Sequence, residues 1–328
     1  MKKILVIQTA FIGDVILSTS LISSLKVSNP AYSIDVLVRK GNESLLSNNP
    51  SIHSIHTWDK SKNKISSIYQ VVKTIRKEKY DLIINLQRFA SSGIMTVLGG
   101  AKETRGFSKN PFSFFFTSKY VHQINPSNST HEIRRNFSLV ADLCDDVIQR
   151  PALYPSEADF KSIEKWKSGE YICLAPASIW FTKQLPIDKW IELIQKYQAK
   201  YPSRQLYILG GKGDYELATT IEKAVHSESV QNLCGQLSFM QSAALMKGAC
   251  MNYVNDSGPL HICSAMNAPV TAFFCSTTPD FGFGPLSDQS VTIESQEKLA
   301  CKPCGLHGYK SCPEGHFNCG KSIKIEVI

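Results

Sequence analysis

The residues Asn255-Asp256-Ser257-Gly258-Pro259-Leu260-His261 lie between two apolar runs, 251–254 and 270–274, each of which reads as a short buried strand. Pro259 opens a helical run that ends before Asn267-Ala268-Pro269. A strand, a tight turn and then proline at a helix start leave backbone N–H groups unpaired at the positive end of a helix dipole, which suits a phosphate. Ser257 adds a hydroxyl there, Gly258 lets an anion approach the backbone, and His261 stands one turn into the same helix. An ordinary capped helix of an α/β domain would carry the same residues, so both readings stand.

Other stretches could add chemistry. Gly13-Asp14 follows the first apolar run, which puts Asp14 at a helix N-terminus beyond a strand's carboxyl end, the edge where open α/β sheets hold ligands. A helix cap is the structural alternative. Arg88 follows another apolar run, 80–86, and is a candidate for binding an anionic group at that edge. His131 and Arg135 begin a helix that either presents polar side chains to a ligand or closes its domain. Gly210-Gly211-Lys212-Gly213-Asp214 ends a further strand. That turn is a weak phosphate signal without Rossmann or P-loop spacing, although Asp214 could accept hydrogen bonds from a ribose.

The elements that must position these residues follow from periodicity. Strands are expected at 3–8, 33–38, 54–58 and 80–86, with a helix after Asp14 turning Val15, Leu17, Leu21, Ile22 and Leu25 inward and another at 65–77. The helix that starts at His131 is expected to run on through Leu139, Val140 and Leu143. The alternation resumes at 171–175, 205–209 and 251–254, with a helix burying Trp190, Leu193, Ile194 and Tyr197 and another through Leu245. Such βαβ alternation predicts doubly wound parallel sheets. Two prolines and no helical pattern mark 149–156 as a linker, giving expected domains at 1–152 and 153–300 and a cysteine-rich tail at 301–328. The aromatic run 110–116 is expected to pack in a core, with an acyl chain or a membrane as the alternative partner.

Composition bounds the class. Of the 328 residues 43% are hydrophobic and 20% charged, as in soluble globular proteins, and no apolar run approaches the ~20 residues of a membrane span. The N-terminus begins like a signal peptide, but Gln8, Thr9 and Asp14 break its apolar run, so it reads as a first strand of a cytoplasmic protein. The net charge of +8 is lopsided: residues 1–155 carry 20 Lys and Arg against 11 Asp and Glu, residues 156–328 carry 16 against 17. The first half therefore suits a negatively charged partner, unless the charge merely solubilises.

Taken in order, these motifs resemble the ADP-heptose:lipopolysaccharide heptosyltransferases, most closely the heptosyltransferase II (lipopolysaccharide core) group. The resemblance spans nearly the whole chain, from Gly13-Asp14 through Pro176 and Thr182-Lys183 to Gly210-Gly211 and 255–261. It implies a GT-B fold, two Rossmann-like domains facing a cleft, the first for a lipid-linked acceptor and the second for ADP-heptose. By position Asp14 matches the general base of an inverting transfer and Lys183 the lysine that faces the diphosphate, with Thr182 beside it. Ser257 and Gly258 match the amides that hold the phosphates, Asp256 and His261 line that pocket, and Gly210, Gly211 and Asp214 fall near the ribose. Gly13, Arg88, His131 and Arg135 fall on the acceptor side. The implied acceptor, Kdo-lipid A or inner-core lipopolysaccharide, is rich in phosphates and carboxylates and fits the basic first half. No Asp-x-Asp metal motif is present, so catalysis without a cofactor is expected, in the cytoplasm with peripheral contact at the inner face of the inner membrane. Two alternatives remain: the same donor chemistry on another acceptor, such as a protein serine or another glycan, and a non-catalytic nucleotide-sugar-binding protein. Nucleic acid is not expected, since no basic motif interleaved with aromatics is present.

Of ten cysteines, four form Cys301-x2-Cys304-x7-Cys312-x6-Cys319, with His307 and His316 interleaved. In a reducing compartment this pattern is more often metal than disulfide, so a structural zinc or iron is expected, with free thiols and disulfides as alternatives. The resemblance makes the tail peripheral to the chemistry. It also implies a further helix after a start at Lys321-Ser322-Ile323, so a shortened C-terminus is expected.

Overall fold

The computed structural model describes residues 2–61, 63–127 and 129–327. The chain divides into two compact units, one running up to Ile124 with Thr130–Tyr154, the other comprising Asn125–Ser129 and the chain from Pro155 onward.

In the first unit β1 (Lys3–Gln8), β2 (Ser33–Arg39), β3 (Ser54–Trp58), β4 (Leu82–Asn85), β5 (Glu103–Phe107) and β6 (Ser118–Tyr120) form a parallel sheet in the order β3-β2-β1-β4-β5-β6. Its helices are α1 (Ile12–Ser28), α2 (Lys64–Glu78), α3 (Ala90–Leu98) and α4 (Glu132–Phe137). The central strands are continuously apolar because both faces of a parallel sheet are covered, and Ile4 to Ile7, Val36 to Val38 and Leu82 to Ile84 are all buried. The chain winds away from β1 in both directions, so the loops after β1 and β4 part at the sheet's carboxyl edge.

Helix α1 is buried from Val15 to Leu25, its hydroxyl residues included. Several of those hydroxyls are satisfied locally, Ser18 donating to Val15 O at 2.7 Å and Ser24 to Ser20 O at 2.9 Å. Ser20 donates to Gln149 O, and Thr19 accepts from Ala152 N at 2.9 Å, which ties the expected linker to this unit.

The second unit repeats the winding. It contains α5 (Glu157–Ser162), β7 (Tyr171–Ala175), α6 (Ile187–Lys200), β8 (Gln205–Ile208), α7 (Tyr215–Val225), β9 (Val230–Asn232), α8 (Phe239–Gly248), β10 (Met251–Asn255), α9 (Gly258–Met266), β11 (Val270–Phe274), β12 (Ser290–Glu294) and α10 (Asn318–Lys321). The strand order is β12-β11-β10-β7-β8-β9, again all parallel. Trp190, Leu193, Ile194 and Tyr197 of α6 are buried as their spacing predicts, with Trp190 edge-on to Phe273 at 5.5 Å.

Several expectations need correction. Helix α4 stops at Phe137, because Ser138 and Leu139 turn back onto Arg134 O and Asn136 O; Leu139 and Val140 are buried in turns. Of the phenylalanines in the aromatic run only Phe116 is buried, over Gly106, while the short turn Ser113–Phe115 leaves Phe114 and Phe115 68% and 58% exposed. The tail is not a separate segment: Phe317, Cys319, Ile323 and Ile325 are buried in the core that holds Trp190 and Leu185. Helix α10 ends where a helix was expected to begin, since Ile323 and Ile325 are drawn into that core. Among the described residues no helix is long and apolar enough to cross a membrane.

Candidate functional site

In the second sheet β7 and β10 are neighbours, so the loops leaving their carboxyl ends part at that sheet's switch point. One loop is 176–186; the other is the turn into α9. Asn255, the fully buried last residue of β10, joins them, donating to Pro176 O at 2.7 Å and accepting from Leu185 N at 2.9 Å. Both ends of the lysine loop are thus tied to the strand that leads into α9.

Lys183 Nζ stands 2.7 Å from Asp256 Oδ2, with the side chains 15% and 6% exposed. Thr277 donates to the same oxygen at 2.6 Å. Desolvation offsets most of the attraction in such a pair, so its main consequence is to fix where the ammonium stands. Ser257 enters α9 in an extended conformation with no side-chain cap, and Pro259 lies in the first turn. The opening amides of α9 have no acceptor within the helix and carry the positive end of its dipole. His261 is buried one turn in, its ring edge-on to Phe283 at 6.4 Å. A cation and a helix N-terminus therefore share one corner, an arrangement that can hold a diphosphate.

After β8, Asp214 Oδ2 accepts from Gly211 N at 2.7 Å and so caps its own turn. A Cβ on Gly210 would lie 2.9 Å from that carboxylate and from Cys234 Sγ, so the turn closes only over glycine. Thr182, next to Lys183, is buried.

In the first unit Gly13 and Asp14 lie in the first turn of α1, where the dipole favours an ionised carboxylate. The loop that delivers them is held from several directions. Lys60 donates to Thr9 O at 2.7 Å, Asn42 to Ala10 O at 3.0 Å, and Gln8 accepts from Gln87 across β1 and β4. Burial, reinforced by Arg39, holds the Lys60 ammonium below the usual lysine range. Arg88 is exposed after β4, its guanidinium 5.7 Å from the Phe89 ring. His131 caps α4, its Nδ1 accepting from Ile133 N at 3.3 Å. Arg135, a candidate on the acceptor side, is buried; it donates to Glu132 at 2.7 Å and to Thr130 O. Burial alone would push the Glu132 carboxyl up, but hydrogen bonding from His122 and the charge of Arg135 outweigh it and hold the group below its usual range.

All ten cysteines are free thiols, which sets aside the disulfide alternative. Cys301 Sγ lies 3.9 Å from His316 Nε2, yet among the described residues no three His, Cys, Asp or Glu side chains converge closely enough to hold a metal ion. Sequence reasoning missed Asn255 as the tie between loops, Thr277 as a partner of Asp256, and Lys60. Only the first left a signal, an asparagine closing a strand before Asp-Ser-Gly.

Comparison with known proteins shows the family. A model of the family described as Glycosyltransferase family 9 (heptosyltransferase) matches residues 68–310. Lipopolysaccharide heptosyltransferase 3 of Escherichia coli is 25% identical over 278 residues, 81% of this chain and 82% of that protein. Lipooligosaccharide heptosyltransferase 2 of Haemophilus ducreyi is 24% identical over 330 residues, 89% of this chain and 88% of that protein. Among solved structures, the ADP-heptose lps heptosyltransferase II of E. coli has a TM-score of 0.79 at 22% identity, over 94% of this chain and 92% of that one. This likeness shows the fold, the expected GT-B architecture of two doubly wound units. The relatives differ in the heptosyltransferase number they bear, so they share a chemistry rather than one transfer step. With the family model spanning most of its length, this chain belongs to glycosyltransferase family 9, the heptosyltransferases, and is a glycosyltransferase.

Proposed function

We propose that this chain transfers a heptose from ADP-heptose to the inner core of lipopolysaccharide, with inversion at the anomeric carbon. The observation that carries this reading is Lys183, held 2.7 Å from Asp256 beside the opening turn of α9. Charge and amide donors stand together there, as a departing diphosphate requires. Asp14 takes the proton of an acceptor hydroxyl as that oxygen attacks the anomeric carbon. The bond from this carbon to the diphosphate breaks, and its electron pair leaves with ADP. The growing negative charge meets Lys183 and the amides of Ser257 and Gly258, while Asp256, His261 and Thr182 shape the pocket. Gly210, Gly211 and Asp214 take the ribose side.

Gly13, Arg88 and His131 serve the acceptor, Kdo-lipid A or inner-core lipopolysaccharide, whose phosphates and carboxylates suit a half with 20 basic against 11 acidic residues. The names of the lipopolysaccharide and lipooligosaccharide relatives support that acceptor class, and the solved heptosyltransferase named for ADP-heptose supports the donor. A lipid-anchored acceptor places the enzyme in the cytoplasm at the inner face of the inner membrane, with the exposed Phe114 and Phe115 as its contact.

Calorimetric titration of ADP-heptose, ADP, UDP and GDP, with Lys183→Ala alongside, tests the reading. Adenine nucleotides should bind, and Lys183→Ala should weaken them about tenfold to a hundredfold. Preference for UDP or GDP overturns the heptose assignment. Equal ADP affinity in Lys183→Ala overturns the placement of the diphosphate.

A further inference from the structure

The segment 304–309, expected to lie away from the chemistry, packs on the loop that carries Lys183. Thr182 sits in a turn of three residues, Phe181–Lys183, too short to hold itself. Its surroundings hold it instead. Thr182 N donates to Tyr309 O at 3.1 Å, and Tyr309 N donates back to Thr182 Oγ1 at 2.8 Å. Ser276 completes the set, its N donating to Thr182 O at 3.2 Å and its Oγ to Thr182 Oγ1 at 3.0 Å. Every polar group of Thr182 is therefore engaged, and Thr182 is 1% exposed. The segment is anchored in turn, because Cys304 N donates to Ser276 O at 2.7 Å. On the other side of the turn the Phe317 ring lies 5.1 Å from that of Phe181.

Gly308 is where the two segments touch. Its φ is +74, and a Cβ there would stand 2.8 Å from Thr182 Oγ1, 3.2 Å from Lys183 Cγ and 3.3 Å from Ser276 Oγ. The backbone thus lies flush against the aliphatic stem of Lys183, and only glycine allows it. Asn255 ties the ends of the lysine loop; this segment ties its middle.

We propose that 304–309 is a positioning element of the donor site, with Gly308 and Tyr309 as positioning residues that set where the Lys183 ammonium stands; this rests on the donor reading above. The segment touches no reacting atom in this account. It acts by denying Thr182, and through it Lys183, any other arrangement, so its loss should be felt as weaker binding of the diphosphate rather than as unfolding.

The test is a double-mutant cycle on the full chain, read by calorimetry with ADP and checked by thermal melting. Gly308→Ala should weaken ADP about tenfold, equivalent to about 1.4 kcal/mol. Gly315→Ala is the control: φ there is +72 but nothing lies within 4 Å, so it carries the same backbone strain nearby in the tail, outside 304–309, without the contact. It should change ADP affinity by less than about twofold. In a Lys183→Met background Gly308→Ala should cost less than about a further twofold, because the group it acts through is gone. If Gly308→Ala does not fold, Thr182→Val takes its place in the cycle, keeping the shape and removing the hydroxyl that Tyr309 N meets, with Thr182→Ser expected to restore affinity. The inference falls if the variant binds ADP like the wild type, or if it loses the same factor in both backgrounds. Those failures are distinct from failure of the donor reading, in which the wild type does not bind ADP or Lys183→Met binds it unchanged; either outcome removes this inference as well.

Discussion

Asp14 and Lys183 are assigned opposite tasks, and their surroundings can be told apart experimentally. Lys183 is a cation held in place by a buried carboxylate, whereas Asp14 is a partly exposed carboxylate in the first turn of a helix. If Asp14 is the base, removing its charge should affect the chemical step alone. Asp14→Asn should lower single-turnover transfer about 100-fold to 10,000-fold while ADP affinity changes less than about twofold. Transfer within about tenfold of the wild type would remove Asp14 from the role. At this scale the sequence was informative where a residue's place follows from its own chain neighbours, as for Ser257 and Gly258 at a helix start. It gave no sign that Arg135 would be buried, because the acid that binds that guanidinium, Glu132, is itself fixed by His122, which contacts it at 3.1 Å. Nothing in the type or spacing of Arg135 announces that competition.

Elements place these residues through a few buried ties. Asn255 is the clearest, since one amide serves both ends of the lysine loop. Replacing it with leucine keeps the approximate volume and strands a buried N–H and a buried carbonyl, each worth about 1–3 kcal/mol. Asn255→Leu should therefore lower the denaturant midpoint of the second unit and raise the donor KM about tenfold or more. A folded Asn255→Leu variant with unchanged donor KM would show that the loop needs no tie to β10. Helix α6 was readable in advance because its apolar residues recur at the helical period and one face is wet. Helix α1 blurs that signal, being buried from Val15 to Leu25 and rich in serine, with the Ser18 and Ser24 hydroxyls turned back on the helix. The short strands β5, β6 and β12 escaped notice because three to five mixed residues carry too little alternation to mark them.

At the scale of the whole molecule, the same strand order is used twice, and each sheet offers its carboxyl edge at one switch point. The amino side of the first sheet carries a polar network with a stabilising rather than a catalytic task. Asp35, 1% exposed, accepts from Tyr80 at 2.7 Å and contacts His53 at 2.9 Å, with Lys3 Nζ 3.7 Å away. Burial alone would push its carboxyl up, but His56, 3.9 Å away, and the contacts with Tyr80 and His53 hold it down, at about 2 against an ordinary 3.8. A value depressed in the fold means stability that is complete above about pH 4 and lost as the pH falls toward 2, worth about 2 kcal/mol. Urea unfolding of wild type and Asp35→Asn from pH 7 downward should show a gap that closes below about pH 4. A gap independent of pH would mean that Asp35 acts through packing alone. The sequence by itself determined what is local: the longer apolar strands, the long amphipathic helices, the glycine turn after β8 and the helix start at Pro259. Each of these depends on residues within a turn or two of chain. Only the tertiary structure decided which loops share an edge, that Asn255 bridges two of them, and that Tyr309 meets Thr182 from 127 residues away. Such meetings are set by strand order and by burial of the tail in the core, and no periodicity along the chain encodes them.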